Sequence, residues 1–305
     1  MSLPPLVSVA WLAEHLEDPG LQVLDCSWYL PSAGRKAKVE FLAGHIPGAR
    51  FFDLDLYSAH DTSLPHMLPS AAEFARDMTA LGLRDADAVV MYDGSGINLS
   101  APRVWWMFRV FGHEPVSVLD GGLGAWRRAG LPLESAEPVT PAKAGAGRRG
   151  AFTTQLDATR VRSAAEMLAN VASQSVQTVD ARSAGRYEGT VPEPRPGLRS
   201  GHIPGSRNVP FTELVDANGL MRPVGELRRI FQGAGINPDA PVVASCGSGV
   251  TACALVHALH LIGNDRTAVY DGSWSEWGGR EELPVETGKA DEAGKADGTI
   301  RRRSP

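Results

Sequence analysis

The sequence has few cysteines, no long apolar run and no excess of positive charge. Three cysteines in 305 residues are too few, and too odd in number, for a disulfide framework, and there is no CxxC pair that could hold zinc. No stretch approaches the roughly 18 uninterrupted apolar residues of a membrane span, and the N-terminal segment lacks the positive region of a secretory signal. These absences predict a cytoplasmic protein in a reducing compartment.

The charge balance argues against nucleic acid and membranes as partners. Thirty Lys and Arg against 35 Asp and Glu leave a formal net charge of −5, which offers no overall basic field to phosphate backbones or anionic lipids. Hydrophobic residues at 43% and charged residues at 21% are typical of a folded globular protein. Nothing in the sequence advertises a symmetric interface, so we expect a monomer.

The chain repeats one set of landmarks in its two halves. The turn Gly-His-Ile-Pro-Gly occurs at 44–48 and again at 201–205. Three more landmarks recur in the same order at nearly the same spacing: Asp25 with Asp180, Asp93 with Cys246, and Asp120 with Asp271. One repeat of this length predicts a duplicated domain rather than a solenoid. Because His45 and His202 occur in both copies, we expect them to be structural and to satisfy loop carbonyls.

Each copy shows the pattern of an α/β domain. The short β-branched runs at 88–92 and 241–245 are followed by helical patterns at 102–111 and 251–262. Short apolar strands that alternate with helices predict a parallel sheet covered on both faces. The fold class is therefore α/β, twice.

The composition also predicts the domain boundaries. Between the copies, residues 135–150 lack apolar periodicity and are rich in Pro, Gly and Ala, as in an extended linker. The last residues have almost no large apolar side chains and are expected to be disordered. We predict a first domain at 1–134, a linker at 135–150, a second domain at 151–286 and a disordered tail at 287–305.

One cysteine stands where a parallel sheet binds its ligands. Cys246 follows the predicted strand at 242–245 and precedes a predicted helix, in a loop with two glycines. Unpaired N–H groups at such a helix start favour an anion, so we expect the loop to hold Cys246 as a thiolate. The predicted binding loop consists of Gly247, Ser248, Gly249, Val250 and Thr251. Cys26 and Cys253 lack this setting and are expected to be inert core thiols.

The loop 246–251, the paired Gly-His-Ile-Pro-Gly turns and the segment 100–109 resemble the 3-mercaptopyruvate sulfurtransferases, a two-domain branch of the rhodanese superfamily. The resemblance covers residues 9–284 and implies tandem rhodanese-like domains, each a parallel five-stranded sheet flanked by helices. It further implies a ping-pong reaction in which Cys246 takes sulfur from 3-mercaptopyruvate as a persulfide and releases pyruvate. The sulfur then passes to cyanide or to a thiol, such as thioredoxin or a low-molecular-weight thiol. The resemblance implies neither a metal nor any other cofactor.

The resemblance also assigns roles to residues outside the cysteine loop. Arg186 and Arg195 match the arginines that bind the substrate carboxylate and carbonyl, a task that suits the planar donors of guanidinium. On residue chemistry alone, two solvated arginines remain the alternative. Asp55, His66 and Ser248 match a proposed proton relay near the nucleophile. The alternative, that His66 only fixes the cleft between the domains, stays open.

The sequence also bears on the role of the first domain and on alternative functions. Because a carboxylate cannot accept sulfur as a thiolate does, Asp93 at the matching position predicts a catalytically silent first domain. A cysteine phosphatase would need an arginine after the cysteine, and 247–252 contain none. A thiosulfate sulfurtransferase or a noncatalytic binding module remains the alternative. Trp274 and Trp277 are predicted to line the mouth of the cleft.

Overall fold

The computed structural model describes residues 3–136 and 150–289, and within them the predicted α/β duplication is confirmed. The elements of the first half are β1 (Leu6–Val7), α1 (Val9–His15), β2 (Leu21–Asp25), α2 (Ala37–Ala43), β3 (Arg50–Phe51), α3 (Ala71–Ala80), β4 (Ala88–Tyr92), α4 (Ala101–Val110), β5 (Val116–Leu119) and α5 (Gly122–Arg128). Those of the second half are β6 (Val161–Arg162), α6 (Ala164–Ser173), β7 (Gln177–Asp180), α7 (Ala184–Glu188), β8 (Arg207–Asn208), α8 (Val224–Gly233), β9 (Val242–Ser245), α9 (Ala252–Ile262), β10 (Thr267–Tyr270) and α10 (Ser273–Trp277).

Each half contains one five-stranded sheet whose neighbouring strands all run parallel. The strand orders are β1-β5-β4-β2-β3 and β6-β10-β9-β7-β8, which correspond strand for strand. The central strands β4 and β9 are buried along their whole length, as expected of apolar strands covered on both faces. The duplication therefore extends from the sequence landmarks to the topology.

The predicted linker at 135–150 and the predicted tail at 287–305 lie mostly outside the described residues. The domain boundaries drawn from them stay predictions. Within the described ranges, no helix has the length and apolar character needed to cross a membrane.

The two halves pack against each other through α4 and α9. All ten residues of α4 are buried, and Trp105 and Phe108 from this helix share one apolar cluster with Leu255 and Leu259 of α9. Burial of these large side chains removes much apolar surface from water and holds the halves together. Both helices follow the central strand of their own sheet, so the two strand-to-helix loops lie beside the contact between the halves.

The repeated Gly-His-Ile-Pro-Gly turns are structural, as predicted. The Nδ1 atoms of His45 and His202 each lie 2.8 Å from a carbonyl oxygen of a nearby helix, that of Phe41 in α2 and that of Tyr187 in α7. Each histidine also exchanges two backbone hydrogen bonds with a glutamate near the end of its half. Burial lowers the pKa of His202, which favours the neutral ring in this role.

Trp274 and Trp277 do not line the mouth of the cleft, so that prediction was wrong. Both indoles lie on α10 in the core of the second half and have no exposed surface. Their Nε1–H groups donate to the carbonyl oxygens of Arg199 at 2.9 Å and Pro284 at 2.7 Å. Because each polar N–H has a protein acceptor, the rings can be buried without leaving a polar group unsatisfied.

The two copies of the turn predict different responses to the same substitution. Gly201 has φ of +122°, and a Cβ at this residue would overlap the backbone oxygen of Glu286. Its counterpart Gly44 has an extended φ of 171°, and its Cβ would meet nothing closer than 3.4 Å. Gly201→Ala should lower the free energy of unfolding by about 3 kcal/mol, and Gly44→Ala by less than about 1 kcal/mol. Urea denaturation measures both values, and equal losses would contradict the difference in backbone geometry.

Candidate active site

The nucleophile candidate lies at the carboxyl end of the central strand of the second sheet. Cys246 directly follows β9, is 1% exposed, and its N–H donates to Oγ of Ser273 at 3.1 Å. The loop 246–251 then leads into α9, whose first turn has no side-chain cap. A strand end beside an uncapped helix start is where open parallel sheets bind their ligands.

The carbonyl groups of this loop are tied to groups outside it. The oxygen of Cys246 accepts from the N–H of Trp274 at 3.0 Å. The oxygen of Gly247 accepts from the N–H of Ser275 at 2.8 Å and from its hydroxyl at 2.7 Å. The oxygen of Gly249 accepts from the thiol of Cys253 at 3.2 Å. Most of the loop's carbonyls therefore point toward α10 and α9.

The N–H groups of the same loop are left available. In a planar trans peptide the C=O and the following N–H point in opposite directions. The N–H groups of Gly247, Ser248 and Val250 must therefore turn away from the donors that hold the carbonyls. Within 3–136 and 150–289, no N–H from 247 to 251 donates to another protein group. Several free N–H groups at a helix start form a site for an anion.

The matching loop of the first half has an anion in place. Asp93 directly follows β4, and its carboxylate accepts from the N–H groups of Ser95 at 2.8 Å, Ser100 at 2.9 Å and Ala101 at 3.0 Å. Its backbone oxygen accepts from Leu123 at 3.0 Å, the same contact that Cys246 makes with Trp274. The first loop thus binds its own side chain, which gives a physical reason for the prediction that the first domain is silent.

Arg186 lies on α7 and approaches the cysteine loop from there. A Cβ on Gly247 would lie only 3.0 Å from Nη2 of Arg186, so the guanidinium packs closely against the backbone of Gly247. Nε and Nη2 of Arg186 both donate to Glu193, at 3.2 and 2.5 Å. This leaves Nη1 as the donor of Arg186 without a protein partner among the described residues.

Glu193 was missed by the sequence analysis. Its side chain is 2% exposed and also accepts from Arg182 at 2.7 Å, and Arg182 in turn pairs with Asp180 at 2.7 Å. The two arginines and the two carboxylates of this chain neutralise one another. A Glu inside a Pro-rich stretch resembles a solvated residue, and only the fold shows that it is buried.

Arg195 faces the same site, and within residues 3–136 and 150–289 it forms no ion pair with a carboxylate. Burial lowers the pKa of Arg195, and the opposing influences come from the negative charges of Cys246, Glu193 and Asp55. A guanidinium stays charged under these conditions. Arg195 therefore supplies positive charge close enough to interact with both Cys246 and Asp55.

The structure brings Asp55, His66 and Ser248 together across the contact between the halves. Nε2 of His66 lies 3.0 Å from Oδ1 of Asp55, and Nδ1 lies 3.1 Å from Oγ of Ser248. The hydrogen bond from His66 lowers the pKa of Asp55, and Trp28 Nε1 donates to the same carboxylate at 3.3 Å. These contacts fit a relay in which Asp55 orients the ring and the ring contacts Ser248 of the cysteine loop.

Comparison with known proteins identifies the family to which this architecture belongs. The model of the rhodanese-like domain matches residues 8–129 and 163–280, once in each half. The chain belongs to the rhodanese family. The resemblance seen in the sequence is thereby confirmed.

Relatives in this family carry two kinds of name. The chain is 49% identical over 278 residues to a 3-mercaptopyruvate sulfurtransferase of Rattus norvegicus, covering 89% of this chain and 91% of the relative. It is 46% identical over 280 residues to a thiosulfate sulfurtransferase of Cricetulus griseus, with 89% and 91% covered. The crystal structure of a 3-mercaptopyruvate sulfotransferase from Escherichia coli aligns with a TM-score of 0.79 and 41% identity, covering 89% of this chain and 99% of that one.

The remaining predicted residues of this rhodanese contribute backbone or core. Val250 is buried, and Thr251 is the residue before α9 but makes no side-chain cap. Cys26 and Cys253 are fully buried. Burial raises the pKa of Cys253 to about 12 and that of Cys26 well above its ordinary range, as expected of inert thiols.

The contrast between the two loops predicts a stability effect confined to the first. Asp93→Ala removes the carboxylate that satisfies three backbone N–H groups and should lower the free energy of unfolding by about 2 kcal/mol or more. Asp61→Ala, at an exposed position, is the control and should change it by less than about 0.5 kcal/mol. Urea denaturation with circular dichroism measures both. Equal stability of the two variants would show that the carboxylate does not hold the first loop.

Proposed function

We propose that this rhodanese is a sulfurtransferase that moves sulfur from 3-mercaptopyruvate to a thiol or cyanide through a persulfide on Cys246. The observation that carries the proposal is the open set of N–H groups around Cys246, beside Arg195 and the Asp55–His66–Ser248 contacts. The names of the relatives from Rattus norvegicus and Escherichia coli support the choice of donor.

The first half-reaction uses the loop to stabilise charge on sulfur. The Cys246 thiolate attacks the sulfur of 3-mercaptopyruvate, the new S–S bond forms, and the S–C bond breaks with its electron pair moving to carbon. The leaving group is the enolate of pyruvate, which needs one proton at carbon. The persulfide that remains is stabilised as an anion by the same N–H groups.

The proton requirement gives the relay a task. In the relay, the hydroxyl of Ser248 lies against His66 Nδ1, and Asp55 holds the opposite ring nitrogen. This arrangement can deliver a proton toward the departing enolate and recover one from the substrate thiol. The role of His66 in fixing the cleft is compatible with this task, because a fixed ring is also a correctly placed one.

The arginines fit the other end of the donor. Arg195 is the cation available for the substrate carboxylate, and Nη1 of Arg186 can donate to the carbonyl oxygen while Glu193 holds its other two nitrogens. Guanidinium groups that are already held in place lose little freedom when they bind an anion. The N–H groups of Gly247, Gly249, Val250 and Thr251 complete the binding loop.

The second half-reaction returns the enzyme to its starting state. An acceptor thiolate attacks the outer sulfur of the persulfide, and the inner sulfur leaves as the Cys246 thiolate. Thioredoxin or a low-molecular-weight thiol would serve as acceptor, and cyanide would give thiocyanate. Both half-reactions balance in atoms and electrons without a metal or redox cofactor. We further propose that the chain acts as a monomer in the cytoplasm, where reducing conditions keep Cys246 a free thiol.

A thiosulfate sulfurtransferase is the second candidate. The name of the Cricetulus griseus relative favours it, and a thiolate in an anion-binding loop could attack thiosulfate equally well. The charge of the site argues the other way, because Glu193 neutralises Arg186 and leaves Arg195 for a donor with one negative charge. A noncatalytic binding module would not require the open loop at Cys246.

The nucleophile assignment predicts a complete loss of activity. Cys246→Ser should abolish pyruvate formation from 3-mercaptopyruvate, because a hydroxyl cannot hold the transferred sulfur. Cys26→Ala, in the core of the first half, is the matched control and should retain turnover. A lactate dehydrogenase-coupled assay follows pyruvate, and circular dichroism checks the fold. Substantial turnover by Cys246→Ser would refute the mechanism.

The arginine assignment predicts a change in substrate binding. Arg195→Ala should raise KM for 3-mercaptopyruvate about ten- to hundredfold, the usual loss when a charged hydrogen-bonding partner is removed. Arg229→Ala, an exposed arginine on α8, is the matched control and should leave KM within about twofold. Steady-state kinetics with 3-mercaptopyruvate and with thiosulfate give both values. An unchanged KM in Arg195→Ala would remove this residue from the carboxylate site.

A further inference from the structure

A buried ion pair forms hydrogen bonds with the backbone of the segment that contains His66. Arg103 of α4 has no exposed surface, and its Nη1 donates to Oδ1 of Asp271 at 2.7 Å. Its Nη2 donates to the backbone oxygen of His66, while Oδ2 of Asp271 accepts from the N–H of Leu68 at 2.8 Å. The pair therefore holds the backbone on both sides of Met67, with one partner from each half of the chain.

The backbone at His66, which this ion pair holds, has an energetically unfavourable conformation. His66 has φ of +60°, in the left-handed region that costs a residue with a side chain roughly 1 kcal/mol or more. Hydrogen bonds to the backbone oxygen of His66 and from the N–H of Leu68 compensate for that cost. The direction of the imidazole depends on this backbone conformation. The hydrogen bonds of the ion pair therefore determine where Nδ1 of His66 contacts Ser248.

The same ion pair touches the cysteine loop. A Cβ placed on Gly249 would lie 2.8 Å from the backbone oxygen of Asp271 and 3.1 Å from Nη1 of Arg103. The pair is thus packed directly against the residue that follows Ser248. Its position fixes both members of the His66–Ser248 contact relative to each other.

Docking of the halves does not by itself account for this pair. Apolar residues of α4 and α9 already bury a large surface, and Nη1 of Arg109 in α4 lies 3.0 Å from Nδ1 of His260 across the same contact. A buried ion pair is also a weak source of net stability, because desolvation offsets most of its attraction. The contacts with the backbone of His66 and Leu68 are what distinguish Arg103 and Asp271.

We propose that Arg103 and Asp271 are positioning residues that hold His66 against Ser248 and thereby set the rate of sulfur transfer. The proposal rests on the proposed function, in which His66 serves the proton relay. Neither residue is required to touch the donor. Their contribution passes through the contact between the imidazole of His66 and the hydroxyl of Ser248.

The decisive experiment separates docking from positioning. The double variant Arg103→Met with Asp271→Leu replaces the ion pair with apolar side chains of similar size, an exchange that often preserves stability. We expect a melting temperature close to that of the wild type, kcat for 3-mercaptopyruvate reduced about tenfold or more, and a KM changed by less than about threefold. Arg109→Met, on the same helix and at the same contact, is the matched control and should retain kcat.

A double-mutant cycle then asks whether the loss passes through His66. In the His66→Ala background, removing the ion pair should lower kcat by no more than about twofold further. Losses that multiply, or a double variant that keeps the wild-type kcat, would overturn the proposal. If the double variant does not fold, Arg103→Lys, which keeps a charge against Asp271 but cannot reach both partners, enters the same cycle with the same expectations.

Failure of the proposed function can be distinguished from failure of the positioning role. A wild-type chain without sulfur transfer would refute that function and leave the positioning to be tested by NMR. In that case the ring-nitrogen chemical shift of His66 should change in the double variant and not in Arg109→Met. An unchanged shift would overturn the positioning as well.

Discussion

The orientation of the peptide groups between Cys246 and Thr251 is the constraint on which the rest of the site depends. Carbonyls of this loop are held by the backbone and hydroxyl of Ser275, by the N–H of Trp274 and by the thiol of Cys253. Rigid peptide planes then leave the N–H groups for an anion. The buried α10 and the buried Cys253, which have no chemistry of their own, therefore matter because they fix that orientation.

Duplication explains why the site is built from both halves. The same strand-to-helix loop occurs twice, but in the first copy the Asp93 carboxylate occupies the N–H groups that remain open at Cys246. Packing of α4 on α9 brings the two copies side by side. The first half has no open loop of its own. It instead contributes Asp55, His66 and Arg103 to the site around the loop of the second half.

Local patterns in the sequence predicted most of the fold and the centre of the site. Repeated turns, buried strands and the glycine-rich loop after β9 leave signals within a few residues, and the structure shows each of them as expected. The family resemblance supplied Arg186, Arg195 and the Asp55–His66–Ser248 set. The structure shows the contacts of that set, while its catalytic role stays a prediction.

Contacts that form only on tertiary packing left no such signal. Glu193 lies in a Pro-rich stretch and Arg103 in a helix with many aromatic residues, and neither pattern indicates a buried ionic partner. The error at Trp274 and Trp277 has the same origin, because only the packed fold places a carbonyl acceptor beside each indole N–H. Pairings of this kind depend on tertiary packing, which one sequence does not reveal.

The central claim is that Cys246, in the open loop of the second half, carries the transferred sulfur, and that Cys26 and Cys253 do not. Mass spectrometry after exposure of the wild-type chain to 3-mercaptopyruvate without an acceptor tests it most directly. Fragmentation of the peptide that contains both Cys246 and Cys253 locates any added sulfur. The account predicts one extra sulfur on Cys246, lost when cyanide is added. Sulfur on Cys253 or Cys26, or none on Cys246, would contradict it.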